Sequence, residues 1–158
     1  KMKRFKYSLE NVLHYKEQIL DSIKAEHGTL LAQIRKKERE IQNLEEKLVS
    51  AQDKIDDLKK QDVQIKDICL YGMYISEMED QIRKKQEQLK LLQQQEEKKK
   101  EQVIAAKIDT SRYEKLKDRR QNEYEKAAKK AQELFIEEYA SRTARYSQNR
   151  EVIQVEQD

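Results

Sequence analysis

The 158 residues are 41% Asp, Glu, Lys and Arg, with two glycines, no proline, no tryptophan and two phenylalanines. So few turn formers exclude sandwiches, barrels and doubly wound α/β folds, and 36% apolar residues cannot fill a thick globular core. The 34 basic and 31 acidic residues nearly cancel, to +3, so no strong net charge favours disorder or a polyanionic partner. No apolar run approaches the ~20 residues of a membrane span, and none follows the basic first six residues as a signal peptide requires. Lys1 precedes Met2, which is the expected natural start. Cys69 is the lone cysteine, which permits no internal disulfide and fits a reducing cytosol. Long helix or disorder is what remains.

Steps of three and four from Leu13 land on Lys16, Leu20, Ile23, His27, Leu30, Ile34, Lys37, Ile41, Leu44, Leu48, Ala51, Ile55, Leu58, Asp62 and Ile65. Eleven of these fifteen later positions are apolar, which is the repeat of a coiled-coil seam. A second run reads Ile75, Met78, Ile82, Lys85, Leu89, Leu92, Glu96, Lys99, Val103 and Ala106, then Tyr113, Tyr124, Ala127, Ala131 and Leu134. Pairs such as Glu79–Arg83 and Asp80–Lys84 set an acid four residues ahead of a base and support the helix. The expected fold is all-α: helix over 4–60, a tip over 61–66, helix over 67–148 and a frayed tail over 149–158, one coiled-coil domain across 1–158.

An antiparallel hairpin requires opposed residue numbers to sum to a constant. A sum of about 126 brings Leu48 to Met78, Ala51 to Ile75, Leu44 to Ile82 and Ile34 to Leu92, and places His27 opposite Lys99. On that pairing, His27→Leu is expected to be neutral or stabilising. A register one heptad further, near 133, does nearly as well; a turn at Gly72 does badly. The second helix is then the longer and overhangs the N-terminus, and beyond about residue 122 its stripe of Tyr124, Ala127, Ala131, Leu134, Phe135 and Tyr139 has no intrachain partner. An unpartnered apolar stripe marks an interaction site.

No catalytic constellation is present. His14 and His27 belong to no zinc-ligand spacing, and two glycines make no phosphate cradle. Carboxylates at helical spacing lack the pocket that would shift their pKa values. Cys69, near the tip, reads as inert filler rather than a nucleophile. The sequence implies neither an enzyme nor a cofactor. Lys98–Lys130 holds twelve basic and six acidic residues, and with the basic N-terminus it reads as a solvated face or the complement of an acidic protein. Nucleic-acid binding is the weaker reading.

Three segments carry a family resemblance. Phe5-Lys-Tyr7-Ser-Leu9-Glu10-Asn-Val12-Leu13 resembles the F-x-[FY]-x-L-[ED]-x-[VL]-L opening of the flagellar export protein FliJ family. Leu70-Tyr71-Gly72-Met73-Tyr74-Ile75, running on through Met78 to Ile82, resembles that family's entry into its second helix. Tyr113-Glu-Lys-Leu116-Lys-Asp-Arg119-Arg120, followed by Tyr124-Glu-Lys-Ala127, resembles its late basic stretch.

The resemblance implies a cytoplasmic, non-enzymatic stalk of the type III export apparatus, similar to the gamma-subunit stalk of rotary ATPases and peripheral to the inner membrane through its partners. It implies insertion into a hexameric FliI-type export ATPase, contact with an FlhA-type export gate, and escort of export chaperones. The ATPase ring is expected to meet Phe5, Tyr7, Leu9, Arg119, Arg120, Tyr124, Ala131, Leu134 and Phe135. The gate is expected to meet Tyr74, Met78 and Lys85. The chain is expected to be a monomer. The alternatives are a generic coiled-coil scaffold such as a parallel homodimer, an injectisome stalk homologue, and a nucleic-acid-binding coiled-coil arm.

Overall fold

A computed structural model describes residues 3–157. The expected start at Met2 lies outside the described residues, as does the last residue of the expected tail. Two helices, α1 (Glu10–Lys59) and α2 (Ile65–Glu156), account for most of the chain, and no strand occurs among the described residues. The chain divides into two compact units, residues 16–108 and residues 3–15 with 109–157.

In the unit of residues 16–108 the two helices pack antiparallel along the predicted seam. Every seam position of α1 from Lys16 to Leu58 is buried or half-buried, as is every seam position of α2 from Ile75 to Ala106. Ile34, Ile41, Ala51, Met78, Ile82 and Val103 are its most buried apolar side chains. Polar side chains close the seam's flanks and report its register. His27 meets Glu96 at 2.8 Å, Glu26 meets Lys99 at 2.6 Å, Glu40 meets Lys85 at 2.8 Å and Lys37 meets Gln88 at 3.0 Å. The paired numbers sum to 123 for the first and 125 for the others, so the register near 126 is the one adopted and that near 133 is not. The expected His27–Lys99 opposition gives way to two staggered pairs, because each side chain reaches past its opposite position to a carboxylate. Asp80 likewise pairs with Arg83 at 3.1 Å, three residues on, rather than with Lys84.

The connection is slightly tighter than expected, spanning residues 60–64. The Lys60 and Gln61 amides donate back to Asp57 and Leu58, the Val63 amide donates to the Gln61 carbonyl, and Gln64 opens α2 by accepting from the Asp67 amide. No described residue has a positive φ, so the turn closes without glycine. Gly72 sits inside α2 and breaks nothing. Ile65, the final step of the first seam run, is 79% exposed because it follows the turn.

In the unit of residues 3–15 and 109–157, two expectations are corrected. Helix α1 starts at Glu10 rather than near residue 4, with the Leu9 carbonyl accepting from the Leu13 amide and Glu10 favourably placed in the first turn. Residues 3–9 instead form a non-helical strap against α2, where Tyr7 is buried. The second correction concerns the tail. Residues 149–156 are helical, because nothing in Gln148–Glu156 supplies a stop: there is no Gly or Pro, and Arg, Glu and Gln are good helix formers.

Candidate functional site

The strap brings together part of the set expected to meet the ring. The Tyr7 hydroxyl donates to the Tyr113 carbonyl at 3.1 Å, an acceptor already inside α2. The Arg120 guanidinium lies 5.8 Å from the Tyr7 ring centroid and donates to Ser8 Oγ at 2.9 Å. Cation–π geometry of this kind contributes ~0.5–1 kcal/mol at an exposed site. Phe5 and Tyr124 stack at 5.6 Å with planes tilted by 45°, and the Tyr124 hydroxyl donates to the Lys3 carbonyl. Lys117 reaches both carboxylate oxygens of Glu10 at 2.9 Å, tying the first turn of α1 to α2. Phe5, Tyr7, Arg120 and Tyr124 therefore form one clasp, with Leu9 half-buried in the same strap.

Arg119, on the other side of the helix from Tyr7, is exposed and stands apart from the clasp. So do Ala131, Leu134 and Phe135. From Lys129 to Gln157 every residue is exposed, including Leu134, Phe135 (70%), Ile136, Tyr139 and Tyr146. The seam's phase also moves. Tyr124 and Ala128 are half-buried while Ala127 is exposed, because a helix drifts ~20° per heptad on a 3.5-residue repeat once no partner helix supercoils it.

The three residues assigned to the gate lie along one face of α2 at different depths. Met78 is 3% exposed and belongs to the interhelical core. Lys85 is half-buried and held by Glu40 at 2.8 Å, and Tyr74, 49% exposed, is the most accessible of the three. The Lys85 hydrogen bond holds the Glu40 carboxyl below the usual glutamate range, and Lys37 at 3.4 Å adds to the effect. Leu70 and Met73, exposed beside Tyr74, were missed as candidates. Both lie off the seam that Tyr71 and Ile75 mark, Met73 on nearly the opposite side of the helical wheel and Leu70 at its flank, and this was the available signal.

Cys69 is exposed. Among the described residues, no three His, Cys, Asp or Glu side chains cluster as metal ligands, and no helix is long and apolar enough to cross a membrane.

The family model described as "Flagellar FliJ protein" matches residues 5–149, nearly the whole chain. No single curated protein and no solved structure matches it significantly.

Proposed function

From the chain's membership of the flagellar FliJ protein family, which gives it a role in flagellar protein export, we propose that it is a non-enzymatic stalk of the type III export apparatus. In this reading α2 beyond the clasp enters the pore of a hexameric FliI-type ATPase and promotes its assembly and hydrolysis. The hairpin's turn side reaches an FlhA-type export gate, and export chaperones are further partners. The protein works in the cytoplasm, held at the inner membrane through these partners.

One observation carries the reading. Residues 129–156 form continuous helix with no intrachain cover, yet present Leu134, Phe135, Ile136, Tyr139 and Tyr146 to solvent. A helix that exposes aromatic and aliphatic side chains over that length is built to be covered by another molecule. Small and large apolar contacts interleaved with Arg142, Arg145 and Glu138 engage several loops of a ring without one deep anchor. The clasp acts as a splint: it fixes α2 just before its uncovered stretch begins. In residues 16–108 the seam is satisfied within one chain, which supports a monomer over a parallel homodimer.

The test is stimulation of a purified FliI-type ATPase. The intact chain is expected to raise its rate, and Leu134→Ser with Phe135→Ser is expected to weaken that stimulation in part, with helicity retained. An ATPase rate indifferent to the intact chain contradicts the reading. For the gate, Tyr74→Ala is expected to weaken binding to the gate's cytosolic domain. Unchanged affinity in a folded variant removes that contact.

A further inference from the structure

Between residues 109 and 130, one face of α2 packs against the strap and the first turn of α1 through Thr110, Tyr113, Leu116, Lys117, Tyr124 and Ala128. The opposite face carries Arg112, Lys115, Arg119, Lys126, Lys129 and Lys130, all exposed. Their spacings of three and four, with Asn122 at the step between Arg119 and Lys126, put them in an arc of about 100° along about 27 Å of helix. Asp118 and Glu123 flank this arc, and no acid falls inside it from Arg112 to Lys130. None of the six makes an ion pair, whereas Lys37, Lys85, Lys99 and Lys117 are each met by a carboxylate. Lys115–Arg119 and Lys126–Lys130 are like-charged neighbours four apart, an arrangement that weakens a helix.

We propose that this row binds an anionic lipid surface directly. Interfaces between folded proteins centre on aromatic and apolar anchors and are poor in lysine. Single-stranded nucleic acids need aromatic platforms for their bases. The arc offers neither. Anionic headgroups diffuse in the plane to meet fixed cations and require only charge held in line on a rigid element. A nucleic-acid duplex, with phosphates winding around a cylinder, meets a straight row only where its backbone crosses it. With no apolar side chain in the arc, the contact is shallow and electrostatic, without insertion. This goes beyond the stalk reading, in which membrane association runs through partners.

The experiment is co-sedimentation of the full chain with vesicles of equal phosphatidylglycerol and phosphatidylcholine, and with pure phosphatidylcholine, at about 50 and about 300 mM salt. The chain is expected to bind the anionic vesicles alone, and at least about tenfold more weakly at the higher salt, where screening shortens the reach of each charge. Changing all six residues to Gln is expected to abolish binding. Removing six other exposed lysines, at 59, 60, 66, 90, 98 and 100, is expected to leave most of it. In a Cys69→Ser background, an environment-sensitive label at Asn122→Cys should respond to anionic vesicles and one at Gln121→Cys should not, a readout that needs no change to the row. Absence of vesicle binding, equal loss in the two six-site variants, or equal response of the two labels overturns the proposal. Binding to duplex DNA tighter than to vesicles and lost in the row variant also overturns it, giving the row to nucleic acid.

Discussion

His27 Nε2 lies 2.8 Å from Glu96 Oε1 across the interhelical seam, with only 21% and 20% of the two side chains exposed. The pair occupies a position where apolar side chains would pack as well, so it serves register more than stability. Its energetic asymmetry follows from the geometry: removing one partner leaves the other half-buried and unmet. His27→Leu is therefore expected to lower stability by about 1 kcal/mol, the reverse of the sequence-based expectation. The double variant His27→Leu with Glu96→Leu should recover most of that loss. Denaturant unfolding of the three variants in a mutant cycle checks both statements.

Glu40 provides a pH signature. Its carboxyl titrates below the usual range in the folded chain because Lys85 donates to it, with Lys37 assisting. A folded pKa lower than the unfolded one stabilises the fold above the unfolded value, and that contribution disappears as pH falls through the folded value. Lys85→Met should therefore melt below the intact chain at neutral pH. The gap should narrow steadily in acid and close once Glu40 is protonated in both. Thermal melts over a pH series measure it. A gap independent of pH would mean that Lys85 acts through packing of its stem.

Met78 and Tyr74 separate core from surface within one turn of α2. Met78→Ala empties a position that is 3% exposed and is expected to cost ~2–3 kcal/mol, the lower end for a buried Met because a two-helix seam relaxes readily. Tyr74→Ala, at 49% exposure, is expected to change stability by no more than about 0.5 kcal/mol. Unfolding midpoints of the two variants are the measurement.

Gly72 offers a stabilising change. It lies inside α2 with no positive φ, and a Cβ built there meets nothing within 4 Å. Gly72→Ala should raise stability by about 0.5–1 kcal/mol by lowering the entropy of the unfolded chain. Gly28, in α1 with equally open space, should behave alike. Loss of stability in either variant would show that a neighbouring side chain uses that space.

The seam was legible from spacing alone because a 3.5-residue repeat admits few arrangements. Leu13 to Leu58 and Ile75 to Ala106 all turned inward as the pattern required. Candidate residues near the strap were legible as aromatic positions, but their conformation was not. Phe5 and Leu9 stand eight and four residues before Leu13, as one more stretch of helix would place them, and only the contacts of the strap with Tyr113, Arg120 and Tyr124 favour the non-helical course in which Tyr7 is buried. Met78 was read as both core and contact, since position on a seam does not fix depth. The tail shows that the end of an apolar repeat is not the end of a helix: residues 149–156 lack any breaker and stay helical.

The stalk reading turns on residues 131–157, and the clasp fixes where they can be removed. A cut after Asn122 would take away Tyr124, which holds Phe5 and the Lys3 carbonyl, and would loosen the strap as well. A cut after Lys130 spares the whole clasp. The most direct measurement is the concentration dependence of FliI-type ATPase stimulation by the chain ending at Lys130, compared with the full chain. The account predicts a folded hairpin with unchanged melting of residues 16–108 and no stimulation at any concentration. Stimulation with the full chain's concentration dependence would contradict it and move ring binding to the strap or the hairpin.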